Sequence, residues 1–130
     1  IMVFMPILSA KKRKILKHVS TLARYCFFDN YAAAEKLFTE SFKDFDIDDD
    51  WGAGVILAIK GMINAGREGD PSSFYWRCKN ASLGDLKNFK NELEKDLSRD
   101  NINNFESGFI NAWIAIIDEF INISKERLKK

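Results

Sequence analysis

Residues 50–66, DWGAGVILAIKGMINAG, restrict the fold more than any other stretch of this chain. The segment is apolar and carries its own boundaries as a helix. Asp50 is placed to cap the first free N–H groups, and Gly66 to take the left-handed conformation that ends the last turn. Gly54, Ala58, Gly61 and Ala65 recur at intervals of four, three and four, so a helix gathers them into one stripe with almost no side-chain bulk. A stripe of that kind admits a second backbone at close range. Val55, Ile56, Ile59, Met62 and Ile63 flank it and supply the apolar area that holds such a neighbour, with Lys60 the one charge inside the run.

The neighbour is identifiable by comparing the chain with itself in the register that sets Trp51 against Phe105. Ala53 then aligns with Ser107, Gly54 with Gly108, Ile56 with Ile110, Ala58 with Ala112, Gly61 with Ala115 and Ile63 with Ile117. Both segments open on an aromatic residue, continue with small residues at the same spacing and add branched apolar residues. The expectation is that the two stripes pack on each other along their length, at the centre of the fold. Cys26 and Cys78, and Asn30 and Asn80, fall close to the same register, which points to two related helical hairpins.

The remaining chain reads as helices joined by short turns, with no sustained alternation and no hairpin dipeptide to mark strands. Ser9 opens a first helix reaching about Phe28, with Ile15, Val19, Leu22 and Cys26 on its inner face. Asn30 caps a second from Tyr31 to about Phe45, in which Ala34, Leu37, Phe38, Phe42 and Phe45 keep the helical period. Asp70 followed by Pro71 signals a short helix ending near Lys79. Ser82 with Asp85 forms a capping-box pattern opening a helix whose Leu86, Phe89, Leu93 and Leu97 face inward. Residues 98–104 are polar and read as a loop, and a final helix spans about Asn104 to Arg127. The sequence therefore predicts an all-α single domain over residues 1–130, a compact bundle of five or six helices.

Part of the first half of the chain is similar to a known repeat. The run LARYCFFDNYAAAEKLFTESF, residues 22–42, resembles a single degenerate tetratricopeptide hairpin, with Tyr25 in its first helix and Tyr31, Ala34, Phe38 and Ser41 at the second-helix spacing. Asp29 stands where that family has a small residue and Asp46 where it has its closing proline. Residues 43–76 do not repeat the pattern. The resemblance implies stacked hairpins with a groove for a partner peptide or helix, and it implies no catalytic residue.

Charge and composition narrow the function classes. The chain carries 20 Lys+Arg against 19 Asp+Glu, yet residues 1–28 hold six cations and no acid, and residues 29–50 hold eight acids and two cations. Opposed helix faces are the simplest source of such blocks, and an outside partner for one of them is the other. Cys26 and Cys78 lack any metal-type spacing and read as buried, reduced thiols of a cytoplasmic protein. The opening ten residues are apolar, but their cations follow the apolar run, the wrong order for a secretory signal. The longest apolar run, Phe109 to Ile117, contains Asn111 and ends at Asp118 and Glu119, well short of a membrane span.

Catalytic and cofactor patterns fail on spacing. Carboxylates at 44, 46 and 48 begin as a calcium loop does, but Asp49 and Val55 occupy the positions of its glycine and bidentate glutamate. Gly52-Ala53-Gly54 lacks the rest of a dinucleotide fingerprint. His18 is the one histidine, and Cys26 lies two turns along the same helix, roughly 12 Å away, too far for a Cys-His pair. Asp118 and Glu119 are the one acid pair at the end of an apolar run. No enzyme, cofactor or metal site is expected.

Two surface candidates follow. Phe74, Tyr75 and Trp76 span about 200° of a helix circumference, so one core face cannot absorb all three. With Arg77 they have the composition of an interface hot spot. Lys11, Lys12, Arg13, Lys14 and Lys17 form a basic patch suited to phosphates or an acidic partner. The sequence reads best as a non-enzymatic protein–protein interaction or adaptor module, including self-association as a homodimer. The alternative is a nucleic-acid-binding accessory protein using the basic first helix and the Phe74–Trp76 aromatics.

Overall fold

The computed structural model of the chain describes residues 8–43 and 49–129, which form six helices and no strand among them. In order these are α1 (Ala10–Phe27), α2 (Tyr31–Phe42), α3 (Asp50–Glu68), α4 (Phe74–Lys79), α5 (Leu83–Leu97) and α6 (Asn104–Leu128). The acids at 44, 46 and 48 and the expected helical position of Phe45 lie outside the described residues.

Helix α6 is the central element. It packs most extensively on α3, then on α5 and α1, while α2 leans mainly on α1 and then on α3, and α4 rests on α3 and α6. At the α3–α6 crossing the contact is reciprocal, residue by residue. A Cβ built on Gly54 lies 2.7 Å from the Phe109 nitrogen and closer still to the Phe105 carbonyl, and one built on Gly108 lies 2.7 Å from the Trp51 carbonyl carbon. Each glycine therefore faces the backbone one turn before the other. Ala58 and Ala112 are fully buried behind this contact.

The stripes do not pack along their whole length. Nothing lies within 4 Å of a Cβ built on Gly61, so the two helices have diverged one turn beyond Ala58. Gly66 is used differently again: it lies inside α3 beneath the Tyr31 ring of α2. The left-handed terminator is Gly69, φ 70°, whose N–H reaches the Ala65 carbonyl. At the other end Asp49, not Asp50, caps α3, accepting a hydrogen bond from the Gly52 N–H at 2.8 Å.

Pro71 also lies outside a helix. The Asp70 carboxylate accepts bonds from the Ser72 N–H and hydroxyl, which holds residues 70–73 in a turn, and Ser73 caps α4 by accepting from the Trp76 N–H. Those two hydrogen bonds from Ser72 draw the Asp70 pKa below the ordinary carboxylate value. The core itself is one continuous cluster in which Ile15, Leu22, Val55, Ile59, Met62, Leu86, Ile116, Ile117 and Phe120 are almost fully excluded from water. No helix among the described residues is long and apolar enough to cross a membrane.

Candidate functional site

The aromatic run of α4 is largely directed inward. Phe74 stacks edge-on against Phe89 of α5 and Trp113 of α6, at centroid distances of 5.8 and 4.9 Å. Tyr75 is buried, and Trp76, half-buried, donates its indole N–H to the Ala65 carbonyl at 2.8 Å. Separate elements absorb what one face does not: α3 takes Trp76, the α1–α2 corner takes Tyr75, and α5 with α6 takes Phe74. Arg77 is exposed, with its guanidinium over the Phe74 and Phe89 rings.

Around Tyr75 the chain builds a polar knot. The Tyr75 hydroxyl donates to the Cys26 carbonyl at 2.7 Å, so its single proton is committed there. The Tyr31 hydroxyl lies 3.0 Å from that of Tyr75 and donates to Asp29 Oδ1 at 3.3 Å on its other side. Lys79 closes the knot, its ammonium paired with Asp29 and lying over the Trp76 and Tyr31 rings. Asp29 is the one non-glycine residue at positive φ, 63°, among the described residues. The Lys79 hydrogen bond lowers its pKa. Burial, and then the Tyr31 hydroxyl, drive the Tyr75 pKa upward. The arrangement holds the α1–α2 corner on α4, where burial keeps Tyr75 protonated and pushes the Cys26 thiol up to about 12.

The charged blocks find partners beyond each other. Arg24, from the basic block, donates to Glu119 at 2.5 Å and Glu126 at 2.9 Å on α6, which raises its own pKa. From the acidic block, Glu35 pairs with Arg67 of α3 and Asp29 with Lys79 of α4. Asp118 pairs with Lys90 at 2.7 Å, so both acids at the end of the apolar run serve in interhelical ion pairs. In the basic patch Lys12 lies over the Trp51 ring at 4.9 Å and Arg13 donates to the Leu8 carbonyl, while Lys11, Lys14 and Lys17 are exposed. Cys26 and Cys78 are free and buried. Among the described residues no group of three or more His, Cys, Asp and Glu is placed to hold a metal ion.

A surface feature that periodicity does not reveal lies between α3, α5 and α6. Leu57, Leu93, Phe105, Phe109 and Ile110 line an apolar groove of about 280 Å³, with Asp96 and Glu106 at its edge. Leu57 is 50% and Phe105 39% exposed, each on a helix whose opposite face is in the core. Arg99 bridges Asp96 and Glu106. Two further clefts among the described residues are more polar: one between α2 and α3 with Glu35, Thr39, Lys60, Asn64 and Arg67 beside Phe38 and Ile63, and one between α5 and α6 with Lys87, Asn91, Glu94 and Lys125.

No protein-family model matches the chain, and no curated protein or solved structure matches it. The tetratricopeptide likeness therefore rests on residues 22–42 alone.

Proposed function

We propose that this chain is a non-enzymatic helical interaction module of the cytoplasm that engages a protein partner through the groove between α3, α5 and α6. The observation that carries the reading is the exposure of Leu57 and Phe105 beside an apolar hollow floored by Leu93, Phe109 and Ile110. Large apolar side chains that gather on a protein surface mark contact sites, because covering them removes apolar area from water at roughly 25 cal/mol per Å². The catalytic alternative has less support. Each displaced pKa belongs to a group engaged in an ion pair, a turn or the core, and the buried thiols lie far from their nucleophilic form.

A nucleic-acid reading draws on the exposed Lys11, Arg13, Lys14 and Lys17 of α1. It lacks the stacking half of such a site, since Tyr75 is buried and the Trp76 indole is tied to Ala65. Affinity capture with the wild-type chain and a Leu57→Lys/Phe105→Lys variant tests the first reading. A protein retained by the former and lost by the latter supports it; identical retention by both refutes it. Binding of a random oligonucleotide that falls steeply between about 50 and 200 mM salt would favour the second.

A further inference from the structure

Resting on the nucleic-acid reading above, we infer that the exposed face of α1 binds single-stranded nucleic acid, with aromatic rings of α1 itself in the stacking role that the α4 aromatics do not fill. No residue of α1 lines the groove between α3, α5 and α6, so the two surfaces are separate.

Helix α1 turns Ile15, Val19, Leu22, Ala23 and Cys26 into the core. Lys14, Lys17, Thr21 and Tyr25, then Phe28 at the C-cap, succeed one another at intervals of three, four, four and three, which sets them in one row on the side away from the core. All five are exposed, and the row is about 21 Å long at the helical rise.

The row is cationic at one end and aromatic at the other. Helix α1 contains no acid, and Arg13, also exposed, borders the row at its cationic end. Tyr25 is 38% and Phe28 52% exposed, and the Arg127 guanidinium of α6 lies 5.7 Å from the Phe28 ring, which brings a cation to the aromatic end as well. The α6 acids Glu119 and Glu126 reach across to α1, but both are bonded to Arg24. Between the two ends the Thr21 hydroxyl donates to the Lys17 carbonyl at 3.2 Å, which leaves its oxygen to accept from a base amino group or a sugar hydroxyl.

Positive charge alone attracts any polyanion. Planar apolar faces in line with the cations match one that carries planar bases beside its phosphates, and base–aromatic stacking tolerates any sequence because every base has a π-face. In a duplex those faces are covered by the neighbouring base pairs, so the occupant is a single strand.

Anisotropy of a fluorescent single strand of about 12 nucleotides, titrated with the whole chain at salt concentrations between about 50 and 200 mM, tests this. Tyr25→Leu and Phe28→Leu keep an apolar side chain and remove the flat ring; each weakens binding by about fivefold or more and leaves the salt dependence unchanged, whereas Phe28→Trp retains binding. Lys14→Ala/Lys17→Ala lowers the slope of log K against log salt by about 1.4, two phosphate contacts at about 0.7 each. An abasic strand of the same length binds more weakly than the intact one and is indifferent to the leucine substitutions. Thermal melts within a few degrees of wild type, expected at exposed positions, separate loss of binding from loss of fold. Equal affinity for the duplex of the same sequence overturns the inference, as does retention on phosphatidylserine-containing vesicles, shared by the leucine variants, in place of oligonucleotide binding. If the strand binds but neither the leucine variants nor the abasic strand differ, the row is not the stacking site while the nucleic-acid reading stands. If no strand binds at about 50 mM salt, both fall.

Discussion

Replacing each of three α3 or α6 glycines by alanine adds one methyl group to a helix, yet the structure requires opposite outcomes. In helical peptides the change alone stabilises by about 1 kcal/mol, because glycine loses the most backbone freedom on folding. At Gly61 that is the whole effect, since the new methyl group enters open space. At Gly54 and Gly108 the methyl group meets the backbone of the opposite helix, 2.7 Å from the Phe109 nitrogen in one case and from the Trp51 carbonyl carbon in the other. Ordinary contact requires about 3.5 Å, and a main chain held in its own helical hydrogen bonds does not swing aside as a side chain does. Overpacking of this kind costs about 3 kcal/mol, so the net loss is about 2 kcal/mol after the propensity gain. With about 4 °C per kcal/mol for a chain of this size, Tm should fall by roughly 8 °C in Gly54→Ala and rise by roughly 4 °C in Gly61→Ala. Gly66→Ala lands between them, because the obstruction there is the Tyr31 ring, a side chain held by two hydroxyl contacts. Gly54→Ala and Gly108→Ala pry apart one crossing, so the double variant should lose less than the sum of the two. Thermal melts followed by circular dichroism at low protein concentration decide the matter. If Gly54→Ala melts within about 2 °C of Gly61→Ala, the two backbones are not in contact and the reasoning fails.

Three further outcomes follow from the knot around Tyr75 and from the thiols. Tyr75→Phe removes the donor to the buried Cys26 carbonyl and should cost about 1–2 kcal/mol in denaturant unfolding, whereas Tyr31→Phe, at a half-exposed position, should cost less. The Asp29 pKa is lowered in the folded state by the Lys79 hydrogen bond, so near pH 4 the unfolded chain binds more protons. Its contribution is therefore present above the ordinary aspartate pKa and lost as pH falls through the folded value; Lys79→Met should flatten that part of the stability–pH curve, by a modest amount because the Asp29 carboxylate is largely in solvent. Burial raises both thiols to about 12, so neither Cys26 nor Cys78 should react with a thiol reagent at pH 8 in the native chain, and both should react promptly once denaturant is added.

Much of the architecture is legible because its causes are local. A four-and-three spacing of small residues exists only as a stripe if the segment is helical, and the recurrence of that spacing at Gly108, Ala112 and Ala115 singles out Gly54 and Gly108 as a pair without any contact in view. How far the contact runs is not local. Gly61 belongs to the stripe by period, but whether α6 still lies over it depends on the angle at which two helices leave a crossing, which many other side chains set. Signals that compete within a few residues are equally unresolved: Asp49 and Asp50 are both competent caps, and the Asp70–Ser72 turn outcompetes the helix start that Pro71 advertises.

The surface is harder to read than the core, for a related reason. Hydrophobic periodicity reports which residues share a face, not whether anything covers it. Leu93 and Phe105 keep the pattern of buried positions, and Leu57 lies within the most apolar segment of the chain. Their exposure arises where three helices fail to close over one another, so it belongs to no single segment. The reverse holds for Phe74, Tyr75 and Trp76. Their spacing correctly rules out burial on one face, but burial against several separate elements satisfies the same constraint. Composition alone thus does not tell which aromatic side chains stay exposed, and the deciding quantity is the gap left between α3, α5 and α6. That gap leaves Leu57 and Phe105 exposed, whereas the α4 aromatics are covered by α3, by α5 with α6 and by the α1–α2 corner.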